Sequence, residues 1–301
     1  MKTRTLILAL SATLAASGFA ALPAMAQTHP AKRAMSLPGI RLVANVPYGS
    51  DPQERFDVYL PMQAPHDAPV IFMVHGGGWA YGDKADANVA QNKVARWVPE
   101  GFILISIDYP LLPAANPLQQ AQDVGKALAA AQRMAAAWGG DRGRFILMGH
   151  SAGAQLVSMV SAEPSLALGQ GASPWLGTVA LDSAAYNVVE IMQAPHLPLY
   201  DRAFGSNPLF WTANSPILQL NGRIAPFLAV CSSLRRDSCP QAQAFVSRSD
   251  LLRGNARMLP EPLTHEEIDA DLGLPNDYTC AVEDFMRTLD PAVARLLDGG
   301  R

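Results

Sequence analysis

Eight strand-like runs recur along this chain: Arg41 to Val46, Arg55 to Leu60, Val70 to Val74, Phe102 to Asp108, Phe145 to Gly149, Thr178 to Leu181, Pro226 to Cys231 and Asn255 to Leu259. Stretches with helical spacing fall between most of them: Ala85 to Trp97, Leu118 to Trp138, Ala152 to Ser161, Gln241 to Ser247, His265 to Leu272 and Asn276 to Leu297. A strand that is apolar throughout must be covered on both faces, and alternation with helices supplies the cover. The pattern predicts an α/β fold with a mainly parallel central sheet of about eight strands and helices on both sides. Ligand sites in such sheets lie at the carboxyl ends of strands.

Two glycine motifs begin at such ends. Gly149-His150-Ser151-Ala152-Gly153 follows the run Arg144 to Met148 and precedes a helix-compatible run, so it reads as strand, tight turn, helix. A turn of that kind holds its serine in a strained backbone conformation and lifts Oγ to the top of the sheet. The pentapeptide alone is a weak signal. A second motif, His75-Gly76-Gly77-Gly78-Trp79, follows the strand Val70 to Val74, and its glycines let backbone N–H groups approach a ligand closely. Such donors suit a carbonyl oxygen that gains charge in a transition state.

A serine hydroxyl needs a base, and the base needs an anion to hold its tautomer. His29 and His66 lie in proline-flanked segments before the nucleophile, His75 and His150 belong to the motifs, and His196 sits among prolines. His265 follows the last strand, and Thr264 with Glu267 forms a T-x-x-E capping box that sets it in the first turn of a helix. His265 is therefore the expected base. For the acid the reading selects Asp237, in the loop after the strand that ends at Cys231. Asp250 is its competitor, with Asp182 and Asp201 behind, and Arg235 and Arg236 are read as solvated.

The amino terminus reads as a transport signal over residues 1–26: Lys2 and Arg4, an apolar stretch from Leu6 to Leu22, and Ala24-Met25-Ala26 as a cleavage site. That leaves residues 27–301 as a single exported domain, periplasmic or extracellular, with no stable membrane insertion. Export permits a disulfide, and of the three cysteines Cys231 and Cys239 are spaced to staple one short loop. A formal charge of −3 with no long run of either sign argues against a nucleic-acid partner, which needs a basic face. No C-x-x-C or H-x-x-x-H spacing suggests a metal, and no cofactor is expected. The stretch of about 185–219 breaks the strand–helix rhythm with Pro195, Pro198, Pro208 and Pro216 among five aromatic residues. It is expected to be irregular with short helices, either walling a substrate pocket or packing as a connection.

With the order Ser151, Asp237, His265, the two glycine motifs resemble those of the α/β-hydrolase superfamily, specifically carboxylesterases with an H-G-G-G oxyanion loop. Gly82-Asp83-Lys84, Asp108-Tyr109-Pro110, Asp123 and Asp141-Arg142 extend the likeness over nearly the whole mature chain. The resemblance implies the α/β-hydrolase fold, an oxyanion hole built from the backbone N–H groups of Gly77, Gly78 and Ala152, and a His75 that organises its loop. It departs from many relatives in lacking a short H-G-x-x-D acid turn and in carrying Ala154 where a further glycine is common. The implied activity is hydrolysis of small or polymer-linked carboxylic esters through an acyl-enzyme, falling below about pH 6 to 7 as the base protonates. Two rival readings are an aryl formamidase-like hydrolase of small amides and a non-catalytic binding module on the same fold.

Overall fold

The computed structural model describes residues 37–63 and 66–299. The segment read as a transport signal lies outside the described residues. Eight strands form one sheet: β1 Ile40–Pro47, β2 Arg55–Pro61, β3 Ala68–Val74, β4 Ile103–Ile107, β5 Gly140–His150, β6 Gly177–Leu181, β7 Phe227–Ser232 and β8 Ala256–Glu261. Their order is β1-β2-β4-β3-β5-β6-β7-β8. The pairs β1/β2 and β2/β4 are antiparallel, and every pair from β4 to β8 is parallel.

All seven residues of β3 are buried, and they divide by alternation between the two faces of the sheet. Val70, Phe72 and Val74 pack into one core cluster, and Ile71 and Met73 into the other. The helices that cover them are α1 Ala87–Trp97, α2 Pro117–Met134, α3 Ala152–Ala162, α4 Ser165–Leu168, α5 Val188–Met192, α6 Pro198–Phe204, α7 Pro208–Ala213, α8 Pro216–Gln219, α9 Ser238–Leu251, α10 His265–Ala270, α11 Asp277–Arg287 and α12 Pro291–Gly299. Trp97 and Val94 of α1, with Val282, Phe285 and Met286 of α11 and Val293 of α12, fill one cluster. Val124, Leu128, Leu156 and Val160 of α2 and α3 fill the other.

Helix starts follow the chemistry of capping. Asn116 accepts from Gln119 N at 3.1 Å while the Gln119 side chain returns to Asn116 N, with Pro117 at the first helical position. The single helix expected from Asn276 to Leu297 is two, because Pro291 has no N–H to continue the ladder and instead opens α12. Short helices α5 to α8 occupy the proline-rich stretch, three of them with proline at the first position.

Asp123 of α2 shows what burial costs a carboxylate here. Burial first, and then the neighbouring charge of Glu54, push its carboxyl up to about 6. A carboxyl raised above its unfolded value near 3.9 contributes stability below that pH, and the contribution is lost as pH rises through about 6. Asp123→Asn is therefore expected to raise unfolding free energy by about 1–2 kcal/mol at pH 8 and to change little at pH 4. Urea unfolding at the two pH values checks this, and an equal effect at both would contradict it.

Candidate active site

The turn after β5 builds the site. Ser151 sits at φ 55° and ψ −116°, a strained conformation for a residue with a side chain. Its N–H donates to Leu181 O at 2.9 Å, so the end of β5 is locked against the end of β6. The flanking glycines are steric necessities. A Cβ on Gly149 would lie 2.5 Å from Gly153 O, and one on Gly153 would lie 2.3 Å from Val74 O and 2.4 Å from His75 O.

His265 is the first residue of α10, and the expected capping box is present: Glu267 N donates to Thr264 Oγ1 at 3.2 Å and Thr264 N to Glu267 Oε2 at 2.8 Å. The imidazole Nε2 lies 2.9 Å from Ser151 Oγ. Its Nδ1 lies 2.5 Å from Asp182 Oδ2. A carboxylate at Nδ1 fixes the proton there and leaves Nε2 free to accept from the serine hydroxyl.

The carboxylate is not that of Asp237. Asp237 caps α9 without a side-chain cap bond, is 57% exposed, and has Arg235 Nη2 as a cation 3.7 Å away. Asp250 is exposed on α9, and Asp201 pairs with His196 at 3.1 Å. Asp182 directly follows β6, at φ 55°, with its side chain fully buried. The register explains the difference: His150 pairs with Leu181 across β5/β6, so the residue after each strand meets the other at the sheet's carboxyl edge. The loop after β7 lies one strand farther from Ser151.

Asp182 Oδ1 accepts from Ser232 N at 2.7 Å and from the Ser238 hydroxyl, and Oδ2 accepts from Arg235 Nη1 at 2.7 Å. Burial alone would raise its carboxyl. The His265 hydrogen bond, the Arg235 charge and these donors outweigh burial and hold it well below the usual carboxylate range. Arg235 is thus not a solvated loop charge. Its Nη1 also lies 2.9 Å from His265 Nδ1, and since both nitrogens carry protons they share Asp182 Oδ2 as acceptor rather than bonding to each other.

Cys231, at the end of β7, is bonded to Cys239 in α9, as the spacing suggested. The bridge closes the loop that carries Arg235 and leads to Ser238, two of the donors on Asp182. Sequence reasoning found the staple but assigned it to the wrong carboxylate.

On the opposite side of Ser151, Gly77 and Gly78 have φ of 106° and 58°. A Cβ on Gly77 would lie 2.2 Å from Tyr81 O. Ala152 opens α3, where a helix leaves its first N–H groups without intrahelical partners. Gly77, Gly78, Ala152, Ser151, Asp182, Arg235 and His265 line one cavity of about 480 Å³. The loop that holds the glycines is braced underneath. His75 Nδ1 bonds Gly76 O at 2.7 Å, its ring stacks on Tyr109 at 4.5 Å, and Lys84 pairs with Asp108 at 2.9 Å.

The 185–219 stretch both walls the cavity and packs. Leu197, Leu199 and Tyr200 line it, and Leu197 is 60% exposed there. Phe204 is buried edge-on against Trp79, whose Nε1 donates to Gln155 Oε1 of α3 at 3.1 Å. Among the described residues no group of three or more His, Cys, Asp or Glu is arranged to hold a metal ion, and no helix is long and apolar enough to cross a membrane.

The fold aligns with solved structures of esterases: with esterase B of Lactobacillus rhamnosis it superposes at a TM-score of 0.69 over 89% of this chain and 90% of that one, at 18% identity. The chain adopts the α/β-hydrolase fold. The BD-FAE family model matches residues 56–169, which include the glycine loop and the Ser151 turn. Esterase LipQ of Mycobacterium tuberculosis is 30% identical over 203 residues, 62% of this chain and 47% of LipQ. Kynurenine formamidase of Salmo salar is 28% identical over 116 residues, 38% of this chain and 37% of that protein. The chain spans from 24% to 53% of the lengths of eight curated relatives that it matches.

Proposed function

We propose that this protein is a serine carboxylic-ester hydrolase that works through an acyl-enzyme, with Ser151 as nucleophile, His265 as general base and Asp182 as the acid that orients it. The observation that carries the reading is the continuous chain from Ser151 Oγ to His265 Nε2 at 2.9 Å and from His265 Nδ1 to Asp182 Oδ2 at 2.5 Å. His265 takes the serine proton as Oγ attacks the ester carbonyl. The charge that develops on the carbonyl oxygen is met by N–H groups of Gly77, Gly78 and Ala152. The C–O bond to the alcohol breaks as His265 returns the proton to the leaving oxygen, and water then repeats the sequence on the acyl-enzyme to release the acid. His75 braces the glycine loop and takes no proton.

The names of the relatives support ester hydrolysis, since LipQ and esterase B are both called esterases. The Cys231–Cys239 bond supports an exported protein, because such bonds persist in oxidising compartments. The likeness to a kynurenine formamidase favours a second reading, in which the same machinery cleaves a small aryl formamide.

A panel of nitrophenyl esters of rising acyl length, with an N-formyl arylamine beside it, run on wild type and Ser151→Ala, tests both readings. Ester turnover that disappears in Ser151→Ala supports the first. Turnover confined to the formamide selects the second, and ester turnover surviving in Ser151→Ala contradicts the proposed nucleophile.

A further inference from the structure

We infer that His150, the residue before Ser151 in the G-x-S-x-G turn, is a positioning residue for the catalytic base: it clamps the main chain of His265, at the start of a helix that a buried Lys93–Asp269 ion pair anchors independently. The inference rests on the triad reading above.

Lys93 of α1 is 0% exposed, an expensive place for an ammonium group. All three of its donors are committed, to Asp269 Oδ1 at 2.8 Å, Asp269 O at 2.5 Å and Asn88 O at 2.9 Å. Asp269 is likewise buried on α10, and its other oxygen, Oδ2, lies 3.4 Å from His150 Nδ1. His150 Nε2 lies 2.9 Å from His265 O, and the two imidazole rings sit 4.5 Å apart at 39°. Burial, opposed by the Asp269 charge, lowers the His150 pKa, so the ring is neutral and carries one proton. A carbonyl oxygen can only accept, which places that proton on Nε2 and leaves Nδ1 without one, so the Asp269 carboxylate makes no hydrogen bond to His150 and holds α10 through Lys93.

The arrangement answers a mechanical need. Helix α10 has six residues, too few to hold its own direction, and its first residue is the base. Its ties come from outside: Asn92 Nδ2 donates to Ala270 O at 2.6 Å, Tyr278 Oη to Ile268 O at 2.9 Å, and Lys93 grips Asp269. The tie to the nucleophile strand is His150. Because His150 and Ser151 are neighbours in the chain, the clamp sets His265 directly relative to the hydroxyl it must deprotonate. Small misplacements at such a contact cost rate far more than they cost substrate binding.

The test is steady-state kinetics on His150→Gln and His150→Phe, with a nitrophenyl ester as substrate. A glutamine amide N–H reaches the place of the imidazole Nε2, whereas phenylalanine keeps a ring against His265 without a donor. The Phe variant is expected to lose about 10- to 50-fold in kcat with KM within about twofold, and the Gln variant to recover to within about threefold of wild type. The rate at which a nitrophenyl alkylphosphonate labels Ser151 should fall and recover in parallel. If the Phe variant fails to fold, His150→Ala, which adds no bulk, makes the same comparison with Gln. Equal rates in the donor-less variant and wild type, equal losses in Gln and the donor-less variant, or a loss confined to KM would each overturn the clamp. Survival of turnover in Ser151→Ala would instead overturn the triad reading beneath it.

Discussion

Replacing Asp182 by asparagine is expected to lower kcat/KM for a nitrophenyl ester by on the order of 10³- to 10⁴-fold, while Asp237→Asn leaves it within about threefold. An amide offers His265 Nδ1 either a donor or a weaker acceptor, so the imidazole loses the partner that fixes its proton at Nδ1 and stabilises imidazolium. Its remaining oxygen still accepts from Ser232 N and the Ser238 hydroxyl, but the amide NH2 that replaces Oδ2 then meets Arg235 Nη1 and His265 Nδ1 as donor against donor. Asp237, exposed and 3.7 Å from Arg235, has no comparable hold on the base. Parallel kinetics on the two variants decide between the carboxylates, and a large loss in Asp237→Asn with none in Asp182→Asn would refute the assignment made from the geometry.

The second large effect belongs to a residue with no side chain. Gly153→Ala is expected to cost at least about 2–3 kcal/mol of stability and most of the activity, because the new methyl group would press on two carbonyl oxygens of the chain leaving β3. Those oxygens belong to Val74 and His75, so relief of the clash would move the glycine loop and the Ser151 turn apart. Gly78→Ala is the matched control: a Cβ there meets nothing within 4 Å, and only the positive φ opposes it. Thermal melts on both variants check the contrast, and an equal loss of stability would contradict the steric account of the motif.

What the sequence made legible follows from how local each signal is. The central strands β3, β4, β6 and β7 were visible because each is almost wholly apolar, a consequence of burial on both faces. Ser151 and His265 stood out through short-range chemistry, the glycines of the turn and the Thr264–Glu267 capping box. The acid was not local. Asp182 and Asp237 both follow apolar strands, and only the pairing of β5 with β6 sets the first beside Ser151. A signal did exist: Asp182 follows Thr178–Leu181 directly, as Ser151 follows its own strand, whereas Asp237 stands several residues beyond Cys231. Arg235 escaped notice for the same reason, since an arginine in a polar loop announces nothing until a buried carboxylate is found beneath it. The break between α11 and α12 was written in Pro291, which a count of helical periodicity passed over.

In the proposed mechanism Ser151 Oγ is the atom that forms the covalent bond, and mass spectrometry after treatment with a nitrophenyl alkylphosphonate tests this most directly. The expected result is one adduct per chain, mapped to the peptide bearing Ser151, forming in step with loss of esterase activity and greatly slowed in Asp182→Asn. Complete inactivation with the adduct on another residue, or full activity retained by a chain labelled at Ser151, would contradict it.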